Sequence, residues 1–237
     1  MFDRKARKQV PVVIPLSFIA AVIAIGLVVL AVYSNRIRKI NVVFSYLAQR
    51  FAGELRPAGF WQHPRVRFLQ GEEPVEVLTE PAGMDPEILH TVFRTTWPDS
   101  DLFLEVHPAR FYTGVVRLLG GQDILTGARE FDREFSVRGS DAERVRAILS
   151  SGVQSQMMQL RELTSSRDFH CLVAHGLVSV QKRGLLLEPA RLARFTTLGL
   201  ELVEQALLTN MAGIEIVSQR VLPARGHAIC RVCGDRI

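Results

Sequence analysis

The chain has 237 residues, 48% hydrophobic and 22% charged, with a formal net charge of +5. That length holds one globular domain with appendages, or two very small domains. The hydrophobic fraction excludes a disordered charged tail, three cysteines are too few for a disulfide-stapled scaffold, and no internal repeat points to a solenoid or propeller.

The positive charge is concentrated. Residues 1–9 carry Arg4, Lys5, Arg7 and Lys8 against Asp3, a net of +3, and residues 34–50 carry Arg36, Arg38, Lys39 and Arg50 with no acid, a net of +4. Against +5 overall, residues 51–237 are left at −2. A nucleic-acid surface would gather its cations on the folded body, so no nucleic-acid partner is expected.

Between the two basic clusters, Val10–Tyr33 contains no charged residue. As a helix it would be about 36 Å long, enough for a hydrocarbon core of about 30 Å. Pro11 and Pro15 fall in its first turns, where a missing amide donor costs least. A buried core helix and a cleavable signal peptide are the competing readings. The run exceeds the usual signal core and has bulky Val32 and Tyr33 near its exit. The expectation is a single-pass transmembrane helix over 10–33, acting as a signal anchor in the cell membrane. Arg4, Lys5, Arg7 and Lys8 flank one side and Arg36, Arg38 and Lys39 the other, so the cation count leaves orientation undecided. A metal-ready Cys pair at the C-terminus favours the cytoplasmic side for the following domain.

Residues 34–55 read as a juxtamembrane helix, with Ile37, Ile40, Val43, Leu47, Phe51 and Leu55 at helical spacing. Its cations suit anionic headgroups, and its apolar stripe equally suits packing on the domain. Three hairpins are expected next: 66–69 with 75–78, 90–97 with 102–107, and 169–174 with 177–181. Phe131–Val137 alternates like a half-buried strand. Ser140-Asp-Ala-Glu143 is a capping box opening a helix through Val145, Ile148 and Leu149. Ser150-Ser151-Gly152 interrupts it, and a second helix carries Val153, Met157, Leu160 and Leu163. Glu188-Pro189 opens the longest helix, with Gly213 as its stop and Ile214–Val221 as a strand or arm. The fold class is α+β, a mainly antiparallel sheet of hairpins packed with two or three helices. The expected organisation is a basic N-terminus over 1–9, a transmembrane helix over 10–33, a juxtamembrane helix over 34–55, an α+β domain over 56–221 and a tail over 222–237.

The tail holds Cys230-Arg-Val-Cys233-Gly234, two thiolates at the spacing of a metal knuckle. It resembles the first knuckle of zinc-ribbon and RING-type modules, including prokaryotic RING finger families appended to uncharacterised bacterial membrane proteins. The resemblance covers about six residues and implies zinc. A second ligand pair is not present in the tail. His227 offers a third ligand, and a thiol pair from each of two protomers would complete a four-thiolate site across a homodimer. Cys171 and His175, about 13 Å apart on an extended strand, cannot share one ion. A thiol redox role is the alternative, although no helix is expected after Cys233 to activate a thiol.

Glycines 120, 121 and 127 with Asp123, Glu130, Asp132 and Glu134 form a second cluster. One reading is a cation- or ligand-gripping loop, centred on Asp123, Glu130 and Asp132. The other is a glycine loop leading into an edge strand with one charged face. The stretch from Gln122 through Phe131-Asp132 to Val137-Arg138-Gly139 is similar to one in uncharacterised bacterial membrane proteins, which implies architecture and no mechanism. Nucleophile-elbow, phosphate-loop, zincin and dinucleotide motifs are missing, so no catalytic residue is assigned. Four lysines against 25 arginines reflect a GC-rich coding genome better than a function. The functional expectation is a membrane-anchored protein-interaction or scaffold module with an accessory zinc knuckle, partnered by the membrane and another protein. The alternatives are a membrane-tethered enzyme using the 123–134 carboxylates, and a thiol redox protein.

Overall fold

The computed structural model describes residues 16–82, 85–109, 123–164 and 169–221. Among them are five helices and eight strands, an α+β arrangement built on one antiparallel sheet. The helices are α1 (Leu16–Arg50), α2 (Arg129–Glu134), α3 (Ala142–Ile148), α4 (Ser151–Thr164) and α5 (Pro189–Val221). The strands are β1 (Glu54–Arg56), β2 (Arg65–Gln70), β3 (Glu73–Ala82), β4 (Asp85–Thr96), β5 (Leu104–Pro108), β6 (Phe135–Gly139), β7 (Phe169–Ala174) and β8 (Leu177–Arg183). Their spatial order is β1-β2-β3-β4-β8-β7-β5-β6.

Two of the three expected hairpins form. In β2–β3, Val66 opposes Val77 and Phe68 opposes Val75, placing four apolar side chains on the core face. In β7–β8 the two-residue turn His175-Gly176 has φ of 52° and 72°, the left-handed pair that matches strand twist. The hairpin expected between 90–97 and 102–107 does not form. β4 pairs with β3 and β8, whereas β5 pairs with β6 and β7. The Trp97 amide donates to the Gly176 carbonyl at 2.8 Å, so the link after β4 passes the end of the β7–β8 hairpin. The turn chemistry of Pro98–Asp101 is real: Asp99 accepts from the Asp101 amide at 2.8 Å and pairs with Arg144. It serves a crossover and not a hairpin.

The strand expected over 131–137 begins only at Phe135. Arg129–Glu134 is the short helix α2, with Phe131 and Phe135 ring centroids 4.8 Å apart. A spacing of four satisfies both a strand face and a helix face, and local hydrogen bonds decided for the helix. α3 is capped by Asp141, whose Oδ1 accepts from the amides of Glu143 and Arg144, and not by Ser140. Ser140 Oγ instead accepts from the Phe103 amide at 3.3 Å. The interruption before α4 is present. α5 runs past Gly213 to Val221, which corrects the expected stop and the strand over 214–221.

α1 is continuous where two helices were expected. It ends at Arg50, not Leu55, because Ala52 turns left-handed with φ of 49° and the Gly53 amide donates back to the Ala48 carbonyl at 2.8 Å. A Cβ on Gly53 would lie 2.7 Å from the Arg67 carbonyl oxygen, so β2 packs against bare backbone there. The C-terminal half of α1 buries Ile40, Val43, Phe44, Leu47 and Ala48 in the same core as Leu192, Phe195, Leu198 and Leu202 of α5.

The transmembrane expectation is corrected. Among the described residues no helix is long and apolar enough to cross a membrane. Val22 is the first residue of α1 whose side chain is described. From there the apolar run continues to Tyr33. Arg36, Arg38 and Lys39 then follow within the same helix. The signal anchor and the single-pass cell-membrane location fall with that expectation. Residues 10–15, where the expected span begins, and the cations Arg4, Lys5, Arg7 and Lys8 lie outside the described residues.

Candidate functional site

The carboxylates singled out in sequence do not converge. Asp132 accepts from the Thr126 amide at 2.9 Å, the Thr126 hydroxyl at 2.7 Å and the Gly127 amide at 3.1 Å. It closes the loop that enters α2, and these bonds occupy lone pairs a cation would need. Glu134 points to Arg161, at 2.6 Å. Asp123 is half exposed and faces Arg138 at 3.7 Å. Glu130 is exposed on α2. Each acid near Arg161 or Arg138 is charge-balanced locally.

Among the described residues no group of three or more His, Cys, Asp or Glu side chains is placed to hold a metal ion. His227, Cys230 and Cys233 lie outside the described residues. Cys171 is buried in β7, and burial pushes its thiol up to about 12. His175 occupies the β7–β8 turn. Elsewhere on the sheet, His170 Nε2 lies 3.0 Å from Glu105 Oε1. His107 is buried on β5, and desolvation lowers its pKa against the opposing pull of the Pro108 carbonyl and Glu105.

The features sequence reasoning missed are on α1. Between Val22 and Val32 its apolar side chains are uncovered: Ile25, Leu27, Val28 and Val29 are each more than 60% exposed. At 100° per residue they spread around the helix in two adjoining flanks. Ile25, Val29, Tyr33 and Ile40 continue onto the side that enters the core. Ile23, Leu27 and Leu30 lie about 60–120° around the helix from Tyr33, on a flank that runs on into a shallow groove lined by Ser34, Arg38, Val42 and Ser45.

Where the inner face meets the body there is a cleft of about 560 Å³. Asn41 builds it, by donating through Nδ2 to the Ala58 carbonyl at 3.1 Å and accepting from the Ala58 amide at 2.6 Å. That double bond pins the segment between β1 and β2 against α1. The Tyr33 hydroxyl donates to the Phe60 carbonyl at 3.1 Å, and the Tyr33, Phe60 and Trp61 rings stack edge to face at 5.2 and 4.8 Å. Arg36 and His63 stand at the rim and Thr79 lines the interior. An i,i+3,i+4 apolar pattern extending through 34–55 contained this signal, but only the docking of residues 57–64 makes a cleft of it.

In comparisons with protein families, characterised proteins and solved structures, nothing matches this chain.

Proposed function

We propose that this protein is an interaction module that self-associates through the outer face of α1, with a helix of a second copy as the occupant. What carries the reading is the exposure of Ile23, Leu27 and Leu30 on a face that nothing in the described body covers. Apolar surface of that kind is costly in water and marks an interaction site. An identical apolar face is a chemically matched cover. The groove below it presents Ser34 and Ser45, small side chains that let a second helix approach closely. Asp123 and Glu134 are ion-paired, Asp132 closes a loop and Glu130 is exposed, so the acids of 123–134 do not gather at one site.

Sedimentation velocity of the full chain at micromolar concentration tests the reading. A dimer or larger species is expected, reduced to monomer by Leu27→Glu with an unchanged far-UV circular dichroism spectrum. A monomeric wild type, or one that associates only with lipid vesicles, would overturn it.

A further inference from the structure

We propose that the cleft between α1 and residues 57–64 binds an organic anion with an apolar tail, an alkyl or acyl phosphate or carboxylate. The site adjoins the proposed self-association surface on α1, Ile37 lining both the cleft and the groove, and rests on separate observations. Its volume, about 560 Å³, is in the range of small-molecule sites. Its described lining contains the cation Arg36 and the donor His63 but no Asp or Glu. Arg36 forms no ion pair among the described residues, so its guanidinium donors are free for an oxyanion.

A second observation points the same way. Thr79 is 2% exposed and lines the cleft, and its hydroxyl has no hydrogen-bond partner among the described residues. A buried unpaired hydroxyl costs free energy, and a ligand oxygen placed in the cleft would satisfy it. The Phe60 and Trp61 rings add an apolar wall that water covers poorly, Trp61 being 88% exposed.

The tail has a path. Ile37, Tyr33, Val29 and Ile25 recur every fourth residue, forming one stripe from the cleft along the helix. From Ile37 to Ile25 that stripe is about 18 Å long, the scale of an acyl chain. Val29 and Ile25 are open along it. A head held by Arg36, His63 and Thr79 would place its tail on Val29 and Ile25.

The full chain carrying Trp97→Phe provides the readout. It leaves Trp61 as the only tryptophan and removes a buried indole N–H that has no partner among the described residues. Titration with octyl phosphate below its micelle concentration is expected to shift Trp61 emission to the blue and to saturate. Arg36→Gln should weaken binding about tenfold, and Thr79→Val several-fold without loss of thermal stability. Octyl glucoside, with the same tail and a neutral head, should give no saturable shift, and inorganic phosphate should compete only weakly. An equal response to octyl glucoside, no response to octyl phosphate, or full affinity in Arg36→Gln would overturn the proposal. Full displacement by inorganic phosphate at equal concentration would overturn the tail contact. Vesicles of phosphatidylglycerol and phosphatidylcholine separate the sources. A shift with the anionic vesicles that octyl phosphate competes away supports a lipid headgroup, and a shift with octyl phosphate alone supports a free amphiphile. A shift with vesicles only would overturn a site for single molecules.

Discussion

Cys171 shows how position sets the chemistry of a side chain. Its β7 neighbours alternate buried and half-buried, and the thiol falls on the core side with Phe169 and Val173. Burial penalises the thiolate and raises the pKa from 9.0 to about 12. The unfolded chain therefore loses this proton first as pH rises, so folding stability should fall between about pH 9 and pH 12. Urea unfolding at pH 8 and pH 10 checks this: the wild type should lose more stability across the interval than Cys171→Ala, whose packing cost is the same at both pH values. An identical pH slope in the two proteins would show that the thiolate is not excluded. Asp132 makes the complementary point. Its carboxylate is engaged by two amides and one hydroxyl, so a residue that reads as a cation ligand closes a turn instead.

At the scale of elements, close approach explains what propensity does not. Gly199 lies in the middle of α5, where alanine would be favoured by about 1 kcal/mol on helix propensity. A Cβ there would lie 2.9–3.0 Å from atoms of the Phe93 ring, which is fully buried and cannot swing away. Gly199→Ala is thus expected to destabilise the protein by about 1–3 kcal/mol, as overpacking does. Thermal unfolding measures it, and Phe93→Leu in the same chain should recover part of the loss. A stabilised Gly199→Ala would mean that α5 and β4 are less closely packed than described. The helix stripe through Leu192, Phe195 and Leu202 was legible in sequence because burial follows period. The close approach at Gly199 was not, because it depends on a strand about a hundred residues earlier in the chain.

For the whole molecule, α1 divides into a half that belongs to the core and a half that does not. Ile40 through Ala48 pack under the sheet, whereas Val22 through Val32 touch little of the body. A chain beginning at Ser34 should therefore fold, with an unfolding temperature within a few degrees of the full chain, and should be monomeric. Loss of cooperative unfolding in that shortened chain would show that the exposed half also supports the core. The sheet has its own long-range character. β4 and β8 are neighbours although β5, β6 and β7 intervene in sequence, so the centre of the sheet closes only when distant segments meet. Such pairing carries loop-closure entropy that local hairpins avoid.

The sequence by itself determined the α+β class, the β2–β3 and β7–β8 hairpins, the break between α3 and α4, and the start of α5 at Pro189. Each is encoded by residues within a few positions of one another: alternating apolar side chains, a His-Gly turn, a proline at a first helical turn. The tertiary structure alone decided the partners of β4 and β5, the helical conformation of 129–134, and the continuation of α5 beyond Gly213. It also decided that Asp123 and Glu134 pair with arginines while Asp132 closes a loop, and that residues 57–64 fold against α1 to make a cleft. The physical reason is common to all of these. Periodicity tells which face of an element is buried, but the identity of the neighbour on that face is set by contacts between segments far apart in the chain.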